Sequence, residues 1–404
     1  MKVLQINTVC GTGSTGRIVG DLYNALFERG HDSLIAYGRG TNAPRGSSVG
    51  DVKTYRIGDN LDTYYHVLMT RLTDKTGFYS TEATNKLINE ITKYNPDIIH
   101  LHNIHGYYLN IELLFNYLAK LNTPIVWTLH DCWPFTGHCS YFDYADCDKW
   151  KTGCFNCPEK HNYPKSIFLD NSKWNYEQKL KLFTSLENIT IVTPSKWLAG
   201  LVKESFLGKY DVQVINNGID LSIFRPTISD FRKAHSLTDR FIILGVANNW
   251  DNRKGLNDFI KLSGSLDDSQ KIVLVGLNKK QLKALPQNIL GLGRTNSIRE
   301  LAEIYSAADV YVNASVEETM GLTTVEALAC GTPVVVYDAT AIPECVDDTV
   351  GFKVEKNNIS ALLDAINIIK NDNPFNSDGC ISKAKQYDKA KKYTEYLDLY
   401  DKLL

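Results

Sequence analysis

Two glutamates, Glu318 and Glu326, stand eight positions apart with Gly321 between them. The run Glu318-Thr-Met320-Gly321-Leu322-Thr-Thr-Val-Glu326 continues into Ala-Leu-Ala-Cys-Gly331-Thr-Pro333 and a β-branched stretch. This order reads as a loop that turns into a helix at Gly321, a helix stop at Gly331 and a strand after Pro333. A helix N-terminus presents unpaired backbone N–H groups and so attracts anions. The N–H groups near Met320, Gly321 and Leu322 would hold a phosphate. Carboxylates on both sides of an anion cannot hold it, but they accept hydrogen bonds from hydroxyls. A ligand with phosphates in its middle and diols at both ends fits, and a nucleotide sugar is such a ligand. Glu326 would take the ribose and Glu318 the transferred sugar. The plainer reading is two solvated glutamates flanking a helix start.

Other residues supply matching chemistry. Arg253 and Lys254, ahead of Gly255, offer a planar fork and a point charge for a pyrophosphate. Gly11-Thr-Gly13-Ser-Thr-Gly16-Arg17 follows a first strand and opens a helix, so Gly16 marks a second phosphate-facing turn, with Arg17 beside the acceptor. His130-Asp131 at a strand end is the best catalytic pair, since a carboxylate can orient and charge an imidazole. A capping Asp with a packed His is the competing reading. His102, Asn103 and His105 lie at another strand end and are candidates for binding an acceptor. Cys139, Cys147, Cys154 and Cys157 are spaced C-x7-C-x6-C-x2-C. One half of that spacing suits a structural zinc, and reduced packed thiols are the alternative.

The elements that must position these groups alternate along the whole chain. Val3–Asn7, Ser33–Tyr37, Ile98–His102, Ile125–Leu129, Ile189–Val192 and Val212–Ile215 read as one series of strands. Phe241–Val246, Lys271–Val275, Val310–Asn313 and Val334–Tyr337 form a second. Apolar runs with helices between them predict an α/β fold of two doubly wound, Rossmann-like parallel-sheet domains facing a cleft. The expected domains are 1–222, with a Cys-rich loop at 132–161, and 223–382. Residues 383–404 form a helix with one apolar stripe, packed on the second domain or crossing back to the first.

The chain of 404 residues has a net charge of −2, which argues against nucleic-acid binding. No apolar run is long enough to span a membrane, and Met1–Asn7 lacks the pattern of a signal peptide. Nine cysteines in so long a chain point to the cytoplasm. Lys149, Lys151, Lys160, Lys165, Lys173, Lys179 and Lys181, interleaved with Trp150 and Trp174, fit either a solvated face or an anionic membrane's inner surface.

Glu318-x7-Glu326, Gly331-Thr-Pro-Val-Val, Arg253-Lys-Gly-Leu, Asn217-Gly-Ile-Asp220 and Tyr305-Ser-Ala-Ala-Asp309 resemble family-4 retaining glycosyltransferases of the GT-B fold. His130-Asp-x-Trp-x-x-Thr-Gly137 is similar to a capsule and exopolysaccharide subgroup. The resemblance implies hexosyl transfer from an NDP-sugar to a saccharide or lipid-linked acceptor, with no cofactor needed for the chemistry. It further implies that Lys254 binds the donor phosphates and that His130 contacts the donor sugar. Many members carry Gly-Arg where this chain has Asn248-Asn249. Arg253 and Arg294 are the candidates to replace that charge. A 2-epimerase of the same architecture and a non-catalytic nucleotide-sugar-binding partner are the alternatives.

Overall fold

The computed structural model describes residues 1–40 and 52–404. The chain divides into two compact units, one of residues 1–216 with 392–404 and one of residues 217–391.

The first unit holds strands β1 (Lys2–Val9), β2 (Asp32–Arg39), β3 (Thr54–Arg56), β4 (Ile98–Leu101), β5 (Ile125–Thr128), β6 (Ile189–Thr193) and β7 (Asp211–Val214). They form one sheet in the order β3-β2-β1-β4-β5-β6-β7, parallel throughout. Alternate residues of each strand feed opposite faces. Leu4, Ile6, Ile99, Leu101 and Trp127 enter one core. Val3, Ile98, Val126 and Val192 enter the other, against Ile18, Leu22 and Leu26 of the helix Gly13–Glu28.

The second unit holds β8 (Phe241–Val246), β9 (Gln270–Val275), β10 (Ile289–Leu292), β11 (Val310–Asn313), β12 (Val334–Tyr337) and β13 (Gly351–Val354). Their order is β10-β9-β8-β11-β12-β13, again all parallel. Leu244, Val273 and Val336 pack on one face, and Ile243, Leu274 and Val312 on the other. The strand order reverses between β1 and β4 in the first sheet and between β8 and β11 in the second. Connections diverge at such points and leave a crevice beyond the carboxyl ends of the strands.

The C-terminal stripe is not one helix. It is split into Ser377–Ala384, a 3-10 turn Lys385–Tyr387 and a helix Lys389–Leu403. The break at Asp388 has a cause. Ile219 donates to the Tyr387 carbonyl at 2.8 Å, and Lys389 donates to the Ile219 carbonyl at 3.0 Å. An extended residue is needed between those two bonds. Gly218 permits the approach, because a Cβ there would lie 2.3 Å from the Lys389 Cα. The last helix then packs Tyr393, Tyr396, Leu397 and Tyr400 into the first unit's core beside Val3 and Leu22. The division at residues 216 and 217 lies a few residues before the expected 222, and the return at 391 and 392 lies after the expected 383.

Candidate functional site

The loops after β8 and β11 leave the second sheet at its switch point, and both carry charged groups. Asp251 caps the turn Asn252–Lys254, accepting from the N–H groups of Arg253 at 3.0 Å and Lys254 at 3.2 Å. Gly255 follows at φ +74°, a left-handed conformation that favours glycine. Any Cβ at Gly255 would meet the Ala314 carbonyl oxygen at 2.4 Å, so the two loops touch here. Val316 N–H bonds the Arg253 carbonyl at 2.8 Å and fixes their register.

This packing brings cations against carboxylates. Lys254 Nζ pairs with Glu318 Oε1. Arg253 pairs with Asp251 at 2.9 Å and reaches Glu317 at 3.5 Å. The Glu317 side chain is almost wholly buried, whereas Lys254 and Glu318 remain partly open. Glu318 is anchored by its own N–H, which donates to Thr340 Oγ1 at 3.0 Å.

The helix Leu322–Ala329 opens after Gly321, which sits at φ +82°. Its first turn is braced from β11: Tyr311 OH meets Thr323 Oγ1 at 2.8 Å, and Asn313 donates to Thr324 Oγ1 at 3.0 Å. Met320 is buried, with its sulfur accepting the Asn217 N–H at 3.2 Å. Glu326, one turn inside the helix, accepts from Tyr305 OH at 3.0 Å. Arg294 is exposed and donates to Asn248 Oδ1 at 2.5 Å, which ties it to the loop after β8. Lys254, Arg253, Glu318 and the start of the helix carrying Glu326 thus share one end of one sheet. Asp251 and Glu317 were not singled out from sequence, and Tyr305 entered only within the Tyr305-Ser-Ala-Ala-Asp309 motif, without a role. The tandem Glu317-Glu318 was the available signal for the second of these.

In the first unit, the helix Gly13–Glu28 begins before Gly16, which lies in its first turn packed against Val9. Arg17 is exposed and donates to the Gly13 carbonyl at 3.2 Å. The histidines beyond β4 and β5 form a buried network. His102 Nδ1 meets His130 Nε2 at 3.1 Å, with the rings stacked at 5.4 Å. His105 Nε2 meets Asp131 Oδ2 at 2.8 Å, and its other nitrogen meets Tyr163 OH at 3.0 Å. His100 is held by Tyr400 OH at 2.6 Å and Thr128 Oγ1 at 2.8 Å, so neither nitrogen is left for a metal. Asn103 is fixed through its backbone: its N–H donates to Asn7 at 3.2 Å, and its carbonyl accepts from Tyr108 OH at 2.8 Å.

The sequence pairing of His130 with Asp131 is corrected by this geometry. Asp131 turns to His105 and to the Trp133 N–H at 3.0 Å, while His130 turns to His102. Burial pushes His130 down to about 4, against a smaller opposing pull from Asp131. It is therefore neutral at ordinary pH, not charged as adjacency to a carboxylate suggested. Burial alone would raise Asp131, but His105 and the Trp133 N–H outweigh it and hold the carboxyl below its usual value. Burial also drives His102 far below the usual range. The His102 Nε2 is buried without a hydrogen-bond partner.

Lys179 is corrected as well. It is 1% exposed, not part of a solvated basic face. Its Nζ donates to the carbonyls of Trp133 at 2.8 Å and Thr136 at 3.0 Å and lies over the Trp133 ring. Burial pushes it down to about 7. Trp150 is also buried, stacked on Phe142 at 4.9 Å.

Cys139, Cys147, Cys154 and Cys157 line one pocket. Among the described residues, no three or more His, Cys, Asp or Glu side chains are arranged to hold a metal ion. All four thiols are free: Cys139 and Cys157 share a hydrogen bond, and the Gly137 N–H donates to Cys154 Sγ at 3.1 Å. Among the described residues, no helix is long and apolar enough to cross a membrane.

The comparisons agree with this division. Residues 15–223 match the family model for Glycosyltransferase Family 4, and residues 227–393 match Glycosyl transferases group 1. The chain is 25% identical over 374 residues to the Escherichia coli protein described as "Putative colanic acid biosynthesis glycosyl transferase WcaC", covering 90% of this chain and 89% of that one. It is 25% identical over 201 residues to the Campylobacter jejuni N,N'-diacetylbacillosaminyl-diphospho-undecaprenol alpha-1,3-N-acetylgalactosaminyltransferase, covering 46% and 53%. Sucrose-phosphate synthase from Thermosynechococcus elongatus shares the fold with a TM-score of 0.74 at 19% identity, over 100% of this chain and 98% of that one. Anabaena Alr3699/HepE, solved with UDP and glucose, matches with a TM-score of 0.68 at 15% identity over 100% of both chains. The first family model alone spans more than half of the residues, and these GT-B neighbours have the same two-domain, Rossmann-like fold. The chain belongs to glycosyltransferase family 4.

Proposed function

We propose that this glycosyltransferase moves a hexose from a nucleoside diphosphate sugar to a saccharide or lipid-linked acceptor, with retention of configuration, in surface polysaccharide synthesis. The observation that carries the donor reading is the cluster at the second sheet's switch point. Lys254 and Glu318 sit there beside a helix start, with Glu326 one turn inside. A bound pyrophosphate would compete with Glu318 for Lys254. The released carboxylate would then accept from hydroxyls of the sugar, while Glu326 takes the ribose. Arg294 is the cation linked to the Asn248 position, since Arg253 is already engaged by Asp251 and Glu317.

The chemistry needs no added cofactor, because the donor carries its own leaving group. The acceptor oxygen bonds to the anomeric carbon as the bond from that carbon to the phosphate oxygen breaks. The leaving phosphate takes the acceptor proton. With Glu318 and Glu326 engaged by hydroxyls of the donor, the protein acts by positioning and charge stabilisation. His130, neutral and steered by His102, is assigned to a sugar hydroxyl, and Arg17, Asn103 and His105 to the acceptor side. The described relatives in colanic acid and undecaprenol-linked synthesis support the polysaccharide reading, and HepE with UDP and glucose supports the donor class. The cytoplasm, at the inner face of the membrane, is the corresponding location.

A thermal-shift screen of UDP-, GDP- and ADP-sugars identifies the donor, and product NMR reads the anomeric configuration. Acceptor-dependent release of nucleoside diphosphate with a retained anomer is expected. Conversion of the donor to its epimer without acceptor would instead assign a 2-epimerase.

A further inference from the structure

The helix Asn60–Thr73 is turned the wrong way for a water-soluble protein. Its buried residues are the polar His66 and Thr70. His66 is fixed by Ser80 Oγ at 2.9 Å and by the Gly77 N–H at 3.1 Å. The opposite face carries Leu61, Tyr64, Tyr65, Leu68 and Leu72 at helical spacing, exposed by 78%, 70%, 54%, 55% and 39%. A surface helix ordinarily buries such a stripe. Contiguous exposed apolar patches of this kind mark interaction sites.

The patch extends beyond the helix. The Ile167 N–H bonds the Arg71 carbonyl at 2.8 Å, which sets a second segment against the helix's C-terminal end. That segment exposes Ile167, Phe168 and Leu169 by 45%, 67% and 51%. Its far end is tied back by Asn171, whose side chain donates to the Thr73 carbonyl at 2.6 Å.

The charges around this end have one predominant sign. Arg71, Lys165 and Lys173 are exposed, and Lys75 and Lys160 are half-exposed. The nearby acids are turned inward or engaged. Asp74 is buried against His138, and Asp170 accepts from the N–H groups of Cys157 and Ser172. Leucines and a phenylalanine flanked by tyrosines and rimmed by cations match the boundary of an anionic bilayer, with its apolar interior and negative headgroups.

We propose that the helix Asn60–Thr73 and the segment 167–169 dock on an anionic phospholipid membrane. The docking is peripheral: the apolar stripe enters the headgroup boundary while Arg71 and Lys165 meet lipid phosphates. It goes beyond the glycosyl-transfer reading and is tested without donor or acceptor, so either can fail alone. The full chain is sedimented with vesicles of phosphatidylglycerol and phosphatidylcholine, and with phosphatidylcholine alone. Binding to the anionic vesicles is expected, weakening with salt. The triple variant Leu61→Ser, Leu68→Ser, Leu72→Ser should lower partition at least about tenfold. Arg71→Gln with Lys165→Gln should lower it by about fivefold per charge. Hydrogen exchange across residues 60–73 should slow when vesicles are added, which reads the wild-type surface without any variant. Absence of partition, or partition unchanged by the triple variant, would overturn the proposal. So would a concentration-dependent dimer that the triple variant dissolves, because the patch would then serve a second copy of the chain.

Discussion

His130 is buried, Lys179 is buried against the Trp133 and Thr136 carbonyls of the loop that follows His130, and burial lowers both. The consequences for stability have definite signs. His66 and His130 fall to about 3 and about 4, below their unfolded value near 6.5. The unfolded chain therefore binds more protons below that pH, and stability present above it is lost as pH falls toward 4. Lys179 at about 7 lies below its unfolded value of about 10.4, so its contribution rises with pH between those values. Urea unfolding across pH checks both slopes. Lys179→Met should abolish the alkaline rise. It should also cost about 1–3 kcal/mol at pH 7, because the Trp133 and Thr136 carbonyls lose their donor. His130→Ala should lower the transfer rate at least about tenfold, a barrier change of roughly 1.4 kcal/mol, and an unchanged rate would remove His130 from the reaction. These partnerships were not legible in the sequence. His130 was read with its neighbour Asp131, yet its partner His102 lies 28 positions away. Local adjacency suggests a pair, and only the sheet register brings the distant partner in.

At the scale of elements, the interior strands of both sheets and the edge strand β7 were readable, and three other short edge strands were not. The ten strands expected from apolar runs are all present. The three missed, β3, β10 and β13, each lie at a sheet edge and span three or four residues. An edge strand with one half-exposed face has no continuous apolar run to betray it. The turn chemistry around the donor cluster was readable because glycine is demanded locally. Gly255→Ala should destabilise the second unit by at least about 1 kcal/mol through its positive φ, and by more through the Ala314 carbonyl. It should also weaken nucleotide-sugar binding, and calorimetry with parallel unfolding separates the two effects. The inverted helix Asn60–Thr73 escaped sequence reading for a related reason. An apolar stripe at helical spacing is normally core, and periodicity does not report which side is wet.

At the scale of the whole chain, the C-terminal helix belongs to the core of the first unit although it follows the second in sequence. Removing residues 392–404 should expose Val3, Leu22 and Leu26 and unfold that unit, seen as lost solubility or a lowered melting midpoint. A truncated chain that melts like the full one would contradict this packing. The central claim is that the second unit grips a nucleotide sugar through Lys254. Titration calorimetry of UDP-, GDP- and ADP-sugars against the wild type and Lys254→Ala tests it most directly. One nucleotide class should saturate the wild type, and the variant should bind it at least about tenfold more weakly, roughly 1.4 kcal/mol. Equal binding by both proteins, or binding of none of the three classes, would contradict the account.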